Sequence, residues 1–282
     1  GTSHGTREIE PMLKVTRVWN SVCACAFMRR GIALALDYAR QRRAFGAALV
    51  DQPLHRETLA ALQAELAGAL HLTFEVVDLL GRDECGELDE SERHLLRLLL
   101  PIAKLVTGKQ AVAVASEVLE AFGGAGYVED SGLPVLLRDS QVLPIWEGTT
   151  NVLSLDALLR TDLDQGMRAL NARIGRALDA AHEPQLSAAV AVARELLKRA
   201  TAWLAKTRDR SNLQACARRF TMTLGRSVQL ALLCEHAQWA LAEEKSGQSL
   251  ALARRFSRVP LADIESMPAA ENGELFGDAP DQ

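Results

Sequence analysis

Aromatic residues are scarce in this sequence: 5% of 282 residues, with two tyrosines and four tryptophans. Alanine and leucine carry most of the 48% hydrophobic content instead, a balance typical of helical proteins. No stretch approaches about 18 uninterrupted apolar residues, so no transmembrane helix is predicted. Cysteines 23, 25, 85, 216 and 234 follow no metal or disulfide spacing. Cys23 and Cys25 sit two apart in a helical run and point to different sides; all five read as reduced thiols of an intracellular protein. The six histidines form no HxxxH pair, and no metal site is predicted. No alternating polar–apolar pattern is convincing, so no strand is predicted either. The opening Gly1-Thr2-Ser3-His4-Gly5 is neither a methionine start nor a signal peptide, and 1–10 reads as a tag or linker.

The net charge of −4 conceals blocks. Residues 1–165 hold 16 Lys/Arg against 23 Asp/Glu, for −7; residues 166–258 hold 16 against 7, for +9. Residues 259–282 hold six acids and no Lys or Arg, contain Pro and Gly, and are predicted to be a disordered acidic tail.

What is present is helical periodicity. The first long helix is predicted from Pro11 to Phe45, stopped by Gly46, with a core stripe of Val15, Val18, Val22, Ala26, Ile32, Leu36 and Phe45. Asp51-Gln52-Pro53 opens a second, closed by Gly81, with a stripe of Leu59, Leu62, Leu66, Leu70, Phe74 and Val77. The third is predicted over 90–122, starting around Ser91, kinked or broken at Pro101 and ended by Gly123-Gly124. A short helix from Pro134 to Arg138 and another over 150–160 follow. Further helices are predicted at 166–181, 185–207 and 212–246. The fold expected is all-α: an antiparallel four-helix bundle over 11–164, then a second, basic helical module over 165–258.

Three motifs occur in order. They are Tyr38-Ala39-Arg40-Gln41-Arg42-Arg43-Ala44-Phe45-Gly46, then Phe122-Gly123-Gly124-Ala125-Gly126-Tyr127, then Arg138-Asp139 followed by Ile145-Trp146-Glu147-Gly148-Thr149. They resemble the YAxxRxxFG, FGGxGY and RD…I[YW]EGT motifs of the acyl-CoA dehydrogenase family, C-terminal helical domain. Each is weak alone; the three together, at family-like spacing, are specific. Residues 166–282 resemble the C-terminal extension of the alkylation-response branch in position and composition only.

The resemblance implies FAD as cofactor, acyl-CoA as substrate, and a homodimer or homotetramer assembled through the bundle. It implies Glu147 as the base that removes a proton alpha to the thioester, with hydride passing from the beta carbon to the flavin and a trans-2-enoyl-CoA as product. Such a step needs a carboxylate about 3 Å from the carbon acid. Desolvation by Ile145 and Trp146 would strengthen that base, and Gly148 removes bulk so that flat groups approach. On local sequence alone Glu147 reads first as an acid near the N-terminus of the following helix; the other two motifs favour the base. The matching arginine, Arg42, reaches the FAD pyrophosphate across a dimer interface in the family, with two phosphate oxygens on one guanidinium. Phe45 is implied beside the adenine end. Arg40, Arg42 and Arg43 also suit a solvated helix C-terminus. Gly123 and Gly124 are implied at the cofactor, and also serve as an ordinary helix stop. Thr149 and Asn151 match positions on the flavin side, Asn151 replacing a longer glutamine. Glu120 stands where a glutamine is common, which puts a phosphate contact there in doubt. Arg17, 25 residues before Arg42, matches an arginine near the acyl-CoA; no carboxylate flanks it, which leaves Glu147 as the base.

Full-length members begin with a helical domain and a middle β-domain that covers the flavin. This sequence begins about where the C-terminal domain does, so a fragment is expected, folded but poor at holding FAD and without turnover. A second reading concerns the +9 block, which includes Arg194, Lys198, Arg199, Lys206, Arg208, Arg210, Arg218, Arg219, Arg226, Arg254, Arg255 and Arg258. It suits nucleic acid, an anionic membrane, or simply a solvated face; no recognition motif is legible. Mitochondrial, peroxisomal and bacterial cytoplasmic locations all fit.

Overall fold

The computed structural model describes residues 9–259, 264 and 265. The tag or linker reading of 1–10 and the tail reading of 259–282 lie almost wholly outside the described residues. Among the described residues the chain is all-α apart from one pair of two-residue strands. Helix α1 spans Glu10–Gln41, α2 Pro53–Glu84 and α3 Glu90–Ala121, each 32 residues. Then come α4 (Gly124–Tyr127), α5 (Pro134–Ser140), α6 (Thr150–Leu159), α7 (Leu163–Ala180), α8 (Ser187–Lys206), α9 (Arg210–Glu243) and α10 (Gln248–Phe256).

Local chemistry fixes these limits. Pro53 enters the first turn of α2, where its missing N–H has no helical acceptor in any case. Helix α3 starts in a capping box: the Asp89 side chain accepts from Glu92 N at 2.8 Å, and Glu92 Oε2 accepts from Asp89 N at 3.1 Å. Helix α2 runs through Gly81 to Glu84, and α3 runs through Pro101 without a break. Pro101 removes one helical donor, but it is buried among the neighbouring helices, and the helix continues through it.

Helices α1 and α2 run antiparallel, with Lys14 at the start of one ion-paired to Asp83 at the end of the other (3.4 Å). Arg82 likewise ties the end of α2 to Glu92 at the start of α3 (2.7 Å). Helix α3 lies at the centre, packed by α1, α2, α6, α7 and α9. By length and composition it is apolar enough to cross a membrane, but 83% of its apolar window is buried inside the protein, as in a core helix.

Two buried clusters organise the interior. One joins α1 to the first half of α2 and the second half of α3, through Met28, Ile32, Leu59, Leu62, Leu66, Val114 and Val118. The larger one runs from α2 and α3 through α6 to α10, including Leu72, Val76, Leu99, Ile102, Leu153, Phe220 and Phe256. Helix α2 therefore buries two sides. The single stripe expected on it fails past Leu66: Leu70 and Val77 are half-buried, Phe74 is exposed, and Leu72, Val76 and Leu79 lie inside.

The stripe expected on α1 is also displaced. Ile32 of that stripe is buried and Val18, Val22 and Leu36 are half-buried, but Val15, Ala26 and Phe45 are exposed, and Asn20, Ser21, Ala24, Cys25, Met28, Ala35 and Ala39 face inward instead. Small residues let α1 approach α3 closely; a Cβ on Gly31 would stand 3.3 Å from both Val118 methyls. The helical extension is joined to the rest by equally close packing. A Cβ on Gly225 would fall 2.6 Å from Val106 Cγ2, and one on Gly68 would fall 2.4 Å from the Phe256 ring. Helix α10, which carries Phe256, is a separate element that the sequence reading did not resolve.

Candidate functional site

The first motif ends in a tight hairpin. Arg43 and Ala44 pair antiparallel with Ala48 and Ala47, leaving Phe45 and Gly46 as the two turn residues. Both take positive φ, +50° and +84°, the geometry such two-residue turns require. The expectation of no strand is corrected here: the turn closes a short ladder too small to leave an alternating pattern. Phe45 is 99% exposed at its tip. Arg42 is the exposed C-cap of α1, with no side-chain partner among the described residues.

The second motif meets the first. The Tyr38 and Phe122 rings lie 4.7 Å apart, which seats the C-terminal ends of α1 and α3 side by side. Gly123 follows with φ +60° and ψ −139°, a conformation essentially reserved for glycine. A Cβ on Gly123 or Gly124 would meet nothing within 4 Å, so the backbone there is open to an approaching group. Gly126 is required for a different reason: its Cβ would fall 1.9 Å from the Leu119 carbonyl oxygen. A cleft of about 370 Å³ lies beside this end, lined by Phe45, Gln52, His55, Glu117 and Glu120 among others.

The third motif sits elsewhere. Its loop crosses the middle of α3, where Gly108 leaves room for the Leu143–Pro144 backbone 3.3 Å from its Cβ position. Asn20 of α1, fully buried, donates to the Leu143 carbonyl at 3.1 Å. Lys104 of α3, also fully buried, donates to the Gly148 carbonyl at 2.7 Å. Glu147 and Gly148 both hold positive φ, +58° and +111°, and Thr149 caps α6 by accepting from Val152 N. Glu147 is half-buried. Its apolar neighbours do not close over it as expected: Ile145 is 59% and Trp146 38% exposed. Asn151 is exposed on the first turn of α6.

Charge is concentrated beneath this loop. Arg17 donates to Asp156 Oδ2 at 2.7 Å and Arg97 to Oδ1 at 2.9 Å. Burial raises the Asp156 carboxyl, but the two guanidinium groups outweigh it and hold it below the usual carboxylate range. Burial pushes the Lys104 ammonium down to about 8, reinforced by Arg17 and opposed by the negative charge of Glu147. Arg17, Lys104 and Glu147 thus share one corner. Arg17 Nε is buried without a partner.

The site residues inferred from sequence therefore fall into two groups. Arg42, Phe45, Gly123 and Gly124 lie at one end of α3. Arg17, Glu147, Gly148, Thr149 and Asn151 lie nearer its middle. From Lys104 to its end at Ala121, α3 spans roughly 26 Å. Lys104, Asn20, Arg97 and Asp156 were missed by sequence reasoning. Lys104 left one signal, a single cation in the apolar run Leu100-Pro101-Ile102-Ala103-Lys104-Leu105-Val106. Among the described residues, no three His, Cys, Asp or Glu side chains converge as a metal site.

The basic block is partly neutralised within the chain. Arg194 pairs with Asp179, Arg226 with Glu65 and Arg255 with Glu57, each at 2.6 Å. Arg254 donates to Gln185, and Arg219 to the Glu265 carbonyl.

The fold has counterparts among known proteins. Residues 3–161 match the family model described as acyl-CoA dehydrogenase, C-terminal domain, and residues 165–274 match acyl-CoA dehydrogenase 11 C-terminal domain-like. Acyl-CoA dehydrogenase family member 11 of Caenorhabditis elegans is 38% identical over 268 residues, 92% of this chain and 43% of that protein. The putative acyl-CoA dehydrogenase AidB of Escherichia coli is 38% identical over 154 residues, 55% of this chain and 28% of that protein. The crystal structure of C. elegans ACDH-11 in complex with C11-CoA superposes with a TM-score of 0.87 at 35% identity, covering 95% of this chain and 47% of that one. An acyl-CoA dehydrogenase from Bacillus anthracis complexed with FAD shares the fold, with a TM-score of 0.68 at 18% identity over 88% of this chain and 46% of that one. The chain spans less than half the length of these relatives. With its fold, its three motifs and more than half its residues matched, it belongs to the acyl-CoA dehydrogenase family, as a C-terminal part.

Proposed function

We propose that this chain forms the helical side of an FAD-dependent acyl-CoA dehydrogenase site, with Glu147 as the base. The observation that carries the reading is the Glu147–Gly148 turn: a half-buried carboxylate on a left-handed backbone, pinned from below by a sealed lysine. A surface carboxylate that only favours a helix terminus does not need that support. In the reaction, the Glu147 carboxylate takes the proton alpha to the thioester as the beta C–H bond breaks, and the new double bond forms between those carbons. FAD, when bound, supplies the acceptor for the departing hydride. Thr149 and Asn151 would face the flavin, and Arg17 the acyl-CoA.

The other end of α3 fits the phosphate and adenine portion of such a cofactor. It offers an exposed guanidinium at Arg42, an exposed ring at Phe45, and open glycine backbone at 123–124. Its distance from Glu147 suits a family site shared across two subunits, in which this end serves a partner's cofactor; a homodimer or homotetramer is part of the proposal. Glu120 beside that cleft places an acid near phosphate, so that contact is left to Arg42. Both groups face open surface, and the 282-residue chain alone is therefore proposed to hold FAD weakly and to turn over no acyl-CoA. The relatives crystallised with C11-CoA and with FAD support the substrate class and the cofactor.

Rapid mixing of the full-length protein with an acyl-CoA, read by flavin bleaching in wild type and Glu147→Gln, tests the reading. No specific observation favours nucleic acid or an anionic membrane on the 166–258 surface, where several of the cations are already paired.

A further inference from the structure

We propose that Lys104 is the positioning residue of the Glu147 base: from the sealed core of α3 its Nζ holds the Gly148 carbonyl, and so fixes the backbone turn that presents the carboxylate. The proposal rests on the reading of Glu147 as the base.

Three observations carry it. First, Lys104 is fully buried, and its hydrogen bond of 2.7 Å crosses 44 residues of sequence to one carbonyl. A lysine in an apolar core is costly to bury, and a methionine or leucine packs such a position without that cost. Second, the turn it holds is one the backbone does not choose freely. Glu147 is one of three non-glycine residues with positive φ among the described residues, and Gly148 beside it is positive as well. A left-handed residue with a Cβ costs of order 1–2 kcal/mol, and persists where its surroundings over-determine it. Here Lys104 grips the carbonyl immediately after Glu147, and Leu153 closes on Gly148, with Cδ2 3.0 Å from its Cβ position. Third, the ammonium and the carboxylate interact electrostatically. The other charges in this corner are Arg17 from α1, Arg97 from α3 and Asp156 from α6, and both arginines are committed to Asp156. Lys104 is therefore the cation of this corner with no carboxylate partner of its own, and its charge lies within electrostatic reach of Glu147.

Lys104→Met and Lys104→Gln in the full-length flavoprotein test the assignment, with Glu147→Gln as reference. The measurements are flavin content, the KM for an acyl-CoA, and the rate of flavin reduction across pH. Lys104→Met is expected to slow reduction at least 10-fold, with flavin content and KM within twofold of wild type. The acid limb of its pH profile moves to higher pH, because the carboxylate loses its neighbouring cation. Lys104→Gln, which keeps a donor without the charge, is expected to recover part of the rate but not the position of the acid limb. A merely structural lysine would change flavin content or thermal stability and leave the pH profile in place; that result overturns the proposal. If Lys104→Met does not fold, the unshifted or shifted acid limb of Lys104→Gln decides. Undiminished reduction in Glu147→Gln overturns the base reading and this proposal together, whereas loss there with wild-type rate and pH profile in both Lys104 variants overturns this proposal alone.

Discussion

Arg17 of α1 and Asp156 of α6 are joined at 2.7 Å across 139 residues of sequence, and Arg97 of α3 takes the second oxygen of the same carboxylate. One buried acid thus ties together three helices directly beneath the Glu147 loop. Removing it leaves two guanidinium groups facing one another in a largely enclosed space. Asp156→Ala is expected to destabilise the protein by about 3–5 kcal/mol, the range for breaking a buried pair. Urea denaturation of the two proteins checks this.

Acid should unfold the chain in two stages. Burial, reinforced by His236 and opposed by Glu235, pushes the His71 imidazole down to about 4. An unfolded histidine titrates near 6.5, so the unfolded state binds more protons between those values, and stability falls as pH drops from 6.5 towards 4, by up to about 3 kcal/mol. The depressed Asp156 carboxyl acts lower: its stabilisation is present above about 3.9 and is lost as pH falls through its lower folded value. In His71→Phe the upper stage is expected to flatten while the lower one persists, as followed by unfolding at fixed urea across pH.

Thiol reactivity should rank by burial. Burial pushes Cys25 up to about 11, with Thr73 opposing, and Cys234 up to about 12. Cys85 is exposed. A chromogenic disulfide reagent at pH 8 is expected to modify Cys85 first and to leave Cys25 and Cys234 unmodified until the protein unfolds. Rapid reaction of all five thiols in the folded state contradicts this packing.

The first three helices and the extension should unfold together. Gly225 fits against Ile102 and Val106, Gly68 against Phe256, and Arg226 stacks 3.5 Å over the Phe256 ring while pairing with Glu65. Denaturation followed by far-ultraviolet circular dichroism and by fluorescence of Trp203, with the other tryptophans replaced, is expected to give coincident transitions. Gly225→Ala should lower both by the same amount, of order 1–3 kcal/mol from overpacking.

Much of the helical plan is legible in the sequence, because caps and breakers act locally. The range 90–122 matches Glu90–Ala121, and 150–160 matches Thr150–Leu159. Which side of a helix faces inward is less legible when both sides are apolar. On α1, Val15 looks like core and Asn20 does not, yet Asn20 is buried because the Leu143 carbonyl awaits it. The motif residues at 42–46, 122–127 and 145–149 were found by resemblance, and what holds them was not. Lys104 and Asp156 act through partners 44 and 139 residues away, a separation that no local pattern encodes. Helix α10 escaped for a related reason: its position is set by Gly68, which lies 188 residues earlier.

The central claim is that Glu147 removes the proton. Its most direct test is Glu147→Gln in the full-length protein, mixed anaerobically with an acyl-CoA and followed by flavin absorbance. Flavin content is expected to stay normal and the reduction rate to fall by about 100-fold or more, the scale of a lost general base. Reduction within a few-fold of the wild-type rate contradicts it.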